Sequence, residues 1–260
     1  MINKWLLEEH RKKNPYMFEV IDISEKENPN EEIKKYIGEI SFKSYRDIDF
    51  LKQTFSSKTK EDLVKYLKEY VFTLRDDDLK KNVWQGDVGE ILISEIIKKF
   101  RNLNVPLCKL TWKFNNNKSI FCTDILAHNN GRTITDITYY EVKTRQTYSK
   151  QLAVKAHKSL HKDMPYDAIA DYLARYHYNI SKHLRDEGDE SAASKYYEIS
   201  LKYSDIVLNP DKYKRLFEIA LIMEKDKFKE DILDELNKLP PVLKPLKVSI
   251  VLIKDLKKFV

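Results

Sequence analysis

Four residues carry the chemistry this chain could perform: Glu90, Asp124, Glu141 and Lys143. Successive side chains of a strand point to opposite faces, so Glu141 and Lys143 project from one face of any strand that contains them. Asp124 interrupts an apolar stretch, SIFCTDILA, where a lone buried carboxylate is costly unless paired or bound to metal. If a hairpin centred near residues 132–133 joins the two stretches, Asp124 lies directly opposite Glu141. A tight turn at Asn130-Gly131 would set it against Ile137 instead, so the chemistry requires a wide or irregular loop. Two carboxylates on one face repel, and a divalent cation between them removes that cost. Mg²⁺, or Mn²⁺ in its place, keeps several waters and readily adds a phosphate oxygen, which suits hydrolysis of a phosphodiester. Asp124 and Glu141 would hold the metal, with the Val142 carbonyl as a further ligand. Lys143 would orient the attacking water or stabilise charge on the phosphorus. Glu90, on a helix, would bind a second metal or position the water, with Asp87 one turn earlier as the alternative helix acid.

Each residue alone has an ordinary explanation. Glu90 could be a solvated helix residue, Asp124 could form a structural salt bridge with Lys143, and Glu141 with Lys143 could be an exposed strand face. What sets them apart is their order: helix Glu, strand Asp, strand Glu-x-Lys, then a basic helix. Residues 78–100 predict that first helix, with Val88, Ile91, Leu92, Glu95 and Ile96 tracing one face and Lys98 and Lys99 complementing the dipole at its end. Leu107–Phe114, Ser119–Ala127 and Thr138–Thr144 read as strands of an antiparallel meander, Asn115–Asn117 forming the first turn. Residues 150–162 read as the basic helix. Arg145, Lys150, Lys155 and Lys158 are candidates for DNA phosphates, and Gln151 is a candidate for orientation near the site. His157 and His161 have zinc-compatible spacing but no third ligand, and read as basic helix surface.

Around this core, residues 1–76 read as an accessory region with no visible chemistry. It includes a charged stretch at 24–36, read as a loop leading into a short helix, and a helical pattern at 59–75. Residues 77–165 form the expected core. Residues 166–260 read as a helical region, with a turn at Asp186–Asp189 and Tyr-rich helices serving core and interface. After the break at Pro240, Pro241 and Pro245, an apolar strand at 246–253 should return to the sheet. The 260 residues are 42% hydrophobic and 34% charged, which is globular composition. The net charge of +6 permits a polyanionic partner without requiring one. Residues 98–123 and 142–162 each carry six Lys or Arg and no acid, flanking the acidic cluster. Cys108 and Cys122, the only cysteines, make neither a zinc ribbon nor a disulfide framework. No P-loop, GxSxG, HExxH or complete dinucleotide fingerprint occurs, and no internal repeat. No apolar run approaches the length of a membrane span or signal-peptide core, so the expected compartment is the cytoplasm, without membrane partners.

Gly89-Glu90, Asp124 and Glu141-x-Lys143 together resemble the PD-(D/E)xK nuclease superfamily, with Thr123 where its name has Pro. That resemblance implies an α/β fold: a restriction-endonuclease-like central mixed sheet flanked by helices, here with a helical C-terminal region. More narrowly, GDVGEILISEII, PLCKLTWKFNNNKSIFCTDILAHNNG and YYEVKTR are similar to the nuclease subunit of Hachiman anti-phage systems. The resemblance implies bacterial defence, Mg²⁺-dependent cleavage of DNA, and a superfamily 2 helicase partner that restrains the nuclease. The rival readings are a stand-alone restriction or repair nuclease and a non-catalytic helical interaction module with a structural sheet.

Overall fold

The computed structural model describes residues 1–46, 48–72, 78–106, 110, 123–131, 133–163 and 168–256. The strand expected at Leu107–Phe114, its Asn115–Asn117 turn and both cysteines lie outside the described residues, apart from the buried Leu110.

Seven strands form one mixed sheet: β1 (Leu6–His10), β2 (Glu19–Glu25), β3 (Leu103–Asn104), β4 (Ile125–Asn129), β5 (Asp136–Arg145), β6 (Lys214–Glu224) and β7 (Leu246–Ile253). Their spatial order is β1-β2-β7-β6-β5-β4-β3. The four central strands, β2, β7, β6 and β5, run parallel, and antiparallel partners flank them at both edges. Nine α-helices accompany the sheet among the described residues. They are α1 (Ile2–Trp5), α2 (Glu31–Tyr45), α3 (Ile48–Thr54), α4 (Lys60–Tyr66), α5 (Asp78–Phe100), α6 (Leu152–Asp163), α7 (Ala168–Asp186), α8 (Glu190–Leu208) and α9 (Asp231–Asn237).

Helices cover both faces, as a sheet with parallel strands buried on both sides requires. On one face Leu92, Ile93, Ile96 and Ile97 of α5 pack on Tyr140, Val142, Ala220, Ile222 and Val251. On the other, Leu152, Ala156 and Leu160 of α6 join α7, α8 and α9 over Tyr139, Phe217, Ile219, Leu221 and Ile250. A third cluster, Tyr45, Trp84, Val88, Ile91 and Leu110, seats α2 against the first half of α5.

Three expectations hold. α5 spans residues 78–100, α7 and α8 turn at Gly188, and 246–253 returns to the sheet between β2 and β6. Two differ. Residues 1–25, assigned to an accessory region, supply β1 and β2 to the same sheet, so the N-terminal segment is part of the core. Lys214–Glu224, inside the stretch read as helical, is the central strand β6. A strand buried on both faces lacks period-two alternation, and the apolar run of β6, which follows Glu218, cannot be told from a buried helix by pattern.

The α5 face also buries an ionic knot. Glu218 of β6, 2% exposed, meets the Arg101 guanidinium and accepts a hydrogen bond from Ser249 Oγ at 2.6 Å. Arg101 also donates to Ser249 Oγ at 2.7 Å and reaches Glu8 of β1 at 3.4 Å. The end of α5 is thereby fastened to β1, β6 and β7. Removing one partner of such a pair strands a buried charge, so Arg101→Ala should lower the unfolding free energy by about 3–5 kcal/mol in urea titration. Arg101→Met combined with Glu218→Leu should recover most of that loss. Equal losses in the single and double variants would show that the knot is not a coupled unit.

Candidate active site

The site is built on the β4–β5 hairpin. Ile125 pairs with Tyr140, Leu126 with Tyr139 and His128 with Ile137. Carried one residue past the ladder, this register sets Asp124 opposite Glu141, as the wide-loop alternative requires. The loop is irregular. Asn129 Oδ1 accepts the amides of Thr135 and Asp136 at 2.8 and 3.1 Å, and its Nδ2 donates to the Thr133 carbonyl at 2.9 Å. Gly131 sits at φ +150°, which side chains disfavour. Asn129 was not singled out from sequence, although an Asn closing a loop onto its own backbone is a known turn signal.

Asp124 Oδ2 accepts the Val142 amide at 2.8 Å, so its carboxylate is anchored on β5 itself. Glu141 is buried, 4% exposed, and Lys143 Nζ lies 2.5 Å from its Oε1. Glu141 and Lys143 share the sheet face that α6 covers, with Ile137 and Tyr139, whereas Val142 turns to the α5 side. Lys143 thus makes an ion pair within β5, with Glu141, where the ordinary reading paired it with Asp124. The ammonium offsets the cost of burying that carboxylate.

Asp124, Glu141, Val142 and Lys143 are therefore brought together. Glu90 rides on α5, which packs on the opposite face of the sheet. Among the described residues, no three acids, histidines or cysteines are gathered so as to hold a metal ion. The donor chemistry itself suits a hard cation: two carboxylates and a carbonyl, all oxygen, where Mg²⁺ needs one or two carboxylates and completes its shell with water. Of the alternative helix acids, Asp87 is buried, 3% exposed, and accepts a 2.6 Å hydrogen bond from Tyr45 of α2, whereas Glu90 is half-buried.

Two further sequence candidates change character. His157 is buried and stacked on His161 at 6.5 Å, where the sequence suggested a basic surface. Burial, then the neighbouring His161, hold its pKa below the usual imidazole value. Lys150 pairs with Glu235 at 3.0 Å and Gln151 donates to the same carboxylate at 3.3 Å, so both turn toward α9. Arg145 donates to Asn82 at 3.3 Å. Lys155 and Lys158 are exposed on α6.

β4 is also tied to the helical region. His128 Nδ1 lies 2.9 Å from the Asn129 carbonyl and so carries the proton, leaving Nε2 to accept from Tyr203 of α8 at 3.1 Å. Burial lowers the His128 pKa.

The helix carrying Glu90 is seated by a close approach. A Cβ added at Gly89 would lie 1.9 Å from Thr144 Oγ1 and 3.3 Å from Thr144 Cβ. Rotating the hydroxyl away leaves the second contact and another with Ile222 Cδ1 at 3.2 Å, so Gly89→Ala should destabilise the fold. Overpacking costs about 1–3 kcal/mol against a helix-propensity gain of about 1 kcal/mol. Adding Thr144→Ala should relieve much of the penalty in thermal melts. A stabilising Gly89→Ala would show that α5 does not press on β5 at this point.

Among the described residues no helix is long and apolar enough to cross a membrane. No curated protein matches the chain. A family model, HamA, matches residues 2–260, nearly the whole length. The chain thus belongs to the HamA family, a component of Hachiman anti-phage defence.

Proposed function

We propose that this protein is the Mg²⁺-dependent DNA nuclease of its defence system, built on a PD-(D/E)xK-type site in a restriction-endonuclease-like fold. The observation that carries the reading is the β4–β5 register, which sets Asp124 opposite Glu141 with Lys143 on the face of Glu141. Asp124, Glu141 and the Val142 carbonyl would hold the cation, with Glu90 as a further acid from α5. A bound Mg²⁺ supplies Lewis-acid polarisation of a phosphate oxygen and acidifies water. Lys143 keeps an ammonium beside the carboxylates, where charge on a phosphodiester would develop. Asp124, fixed through the Val142 amide, cannot swing away from that position without losing a hydrogen bond. The exposed lysines of α6 offer sequence-independent contacts to the backbone of DNA. Restraint by a superfamily 2 helicase partner completes the reading, since an unrestrained nuclease would damage its own cell.

One observation favours a second reading, the helical interaction module with a structural sheet: the direct Lys143–Glu141 pair, which satisfies the buried carboxylate without a metal. Plasmid cleavage separates the two. With Mg²⁺ or Mn²⁺, alone or with its co-purified partner, the wild-type chain should nick or linearise plasmid, and EDTA should stop it. Glu141→Gln and Asp124→Asn should each slow cleavage by at least about 100-fold while the fold persists. Variants that cut at the wild-type rate would end the nuclease assignment at these residues. A wild-type chain that neither binds Mn²⁺ nor cuts DNA under any of these conditions would favour the structural sheet.

A further inference from the structure

Lys155, Lys158 and Lys162 recur at helical spacing on the exposed side of α6, and Gln151 begins the same stripe. Among the described residues none of these three lysines has an acidic partner. Lys150, at the end of the row nearest Lys143 in sequence, is different. Its Nζ lies 3.0 Å from Glu235 Oε1, Lys238 reaches the same oxygen at 2.6 Å, and Gln151 donates to Oε2 at 3.3 Å. One carboxylate thus gathers two ammoniums and an amide on its two oxygens, the donor set that commonly holds the non-bridging oxygens of a phosphodiester.

Glu235 is held in place. Its side chain is 16% exposed, whereas that of Lys150 is 51% exposed. Its helix, α9, buries Ile232, Leu233 and Leu236. Independent contacts pin it on both sides: Tyr148 to Asp231 at 2.5 Å, and Arg11 and Tyr16 to Glu230 at 3.0 and 3.1 Å. Lys150, on a long flexible side chain, is the mobile half of the pair.

We propose that Glu235 is a resident stand-in for a DNA phosphate, occupying the Lys150–Gln151 end of the α6 lysine row until nucleic acid displaces it. The proposal rests on the reading of α6 as a DNA-facing surface. Exposed ion pairs are weak and screened by salt, whereas a polyanion that replaces one gains the release of its own counterions. The pairing is therefore of the kind that a duplex already touching Lys155, Lys158 and Lys162 can break. Until then it keeps the Lys150 end of the row from retaining stray anions.

The test is binding of a short labelled duplex to the full-length chain by fluorescence anisotropy, across a salt series in EDTA so that cleavage does not intervene. Glu235→Gln should tighten binding and steepen the slope of log K against log salt by about 0.9 for each ammonium that gains a phosphate. Lys150→Ala added to Glu235→Gln should remove the Lys150 share of the gain, about 0.9 in the slope. Glu198→Gln, the same charge change on the exposed side of α8, should leave the slope unaltered. If Glu235→Gln matches wild type while Lys155→Ala with Lys158→Ala weakens binding, the lysine row stands and the stand-in is rejected. If neither change affects binding, α6 is not the DNA face and both ideas fall.

Discussion

The candidate site depends on one strand register. Because side chains alternate, a one-residue slip between β4 and β5 would move Asp124 away from Glu141 and onto the opposite face. Two devices hold the register. At the loop, Asn129 ties three backbone groups of residues 133–136 to the end of β4. At the other end, the Asp124 carboxylate takes the Val142 amide, a bond that exists only in this alignment. The second device uses the candidate catalytic group as its own fastener, which fixes the carboxylate where chemistry would need it.

The rest of the fold serves to keep β5 still. It lies between β4 and β6, with α5 pressed on one face through Gly89 and α6 packed on the other. The parallel neighbours β6 and β7 are among the most deeply buried segments of the chain, and the Arg101–Glu218 knot pins the end of α5 to them. Strand β5 thus has little freedom to shift when a charged ligand approaches. The adjustable parts are at the rim, where Lys143 and Lys150 each hold an acid by a pairing that a competing charge can replace.

Much of this was legible in residue order. Asp124, Glu141 and Lys143 could be assigned to neighbouring strands because alternation and the span of the intervening loop leave few registers. Strand β7 was legible because prolines isolate it from the helices before it. Strand β6 was not, because IALIM is an apolar run without alternation, Glu218 lies within the buried stretch, and the break before it is only the short turn at Pro210–Lys212 after two long helices. Strands β1 and β2 were missed for a related reason: LLEEH and EVIDISE carry acids that look like solvent-facing helix or loop, yet Glu8 belongs to the Arg101 knot and Asp22 pairs with Arg11. The partnership of Glu235 with Lys150 spans 85 positions, and no local pattern could have announced it.

The place of β7 has a consequence for biosynthesis. It lies between β2, from the first 25 residues, and β6, so the N-terminal hairpin joins the sheet only through a strand near the end of the 260-residue chain. On the ribosome, β1 and β2 must wait for residues 246–253 to emerge before they have a lateral neighbour. A chain interrupted short of that point can translate every residue of the candidate site, yet it lacks the frame that holds them.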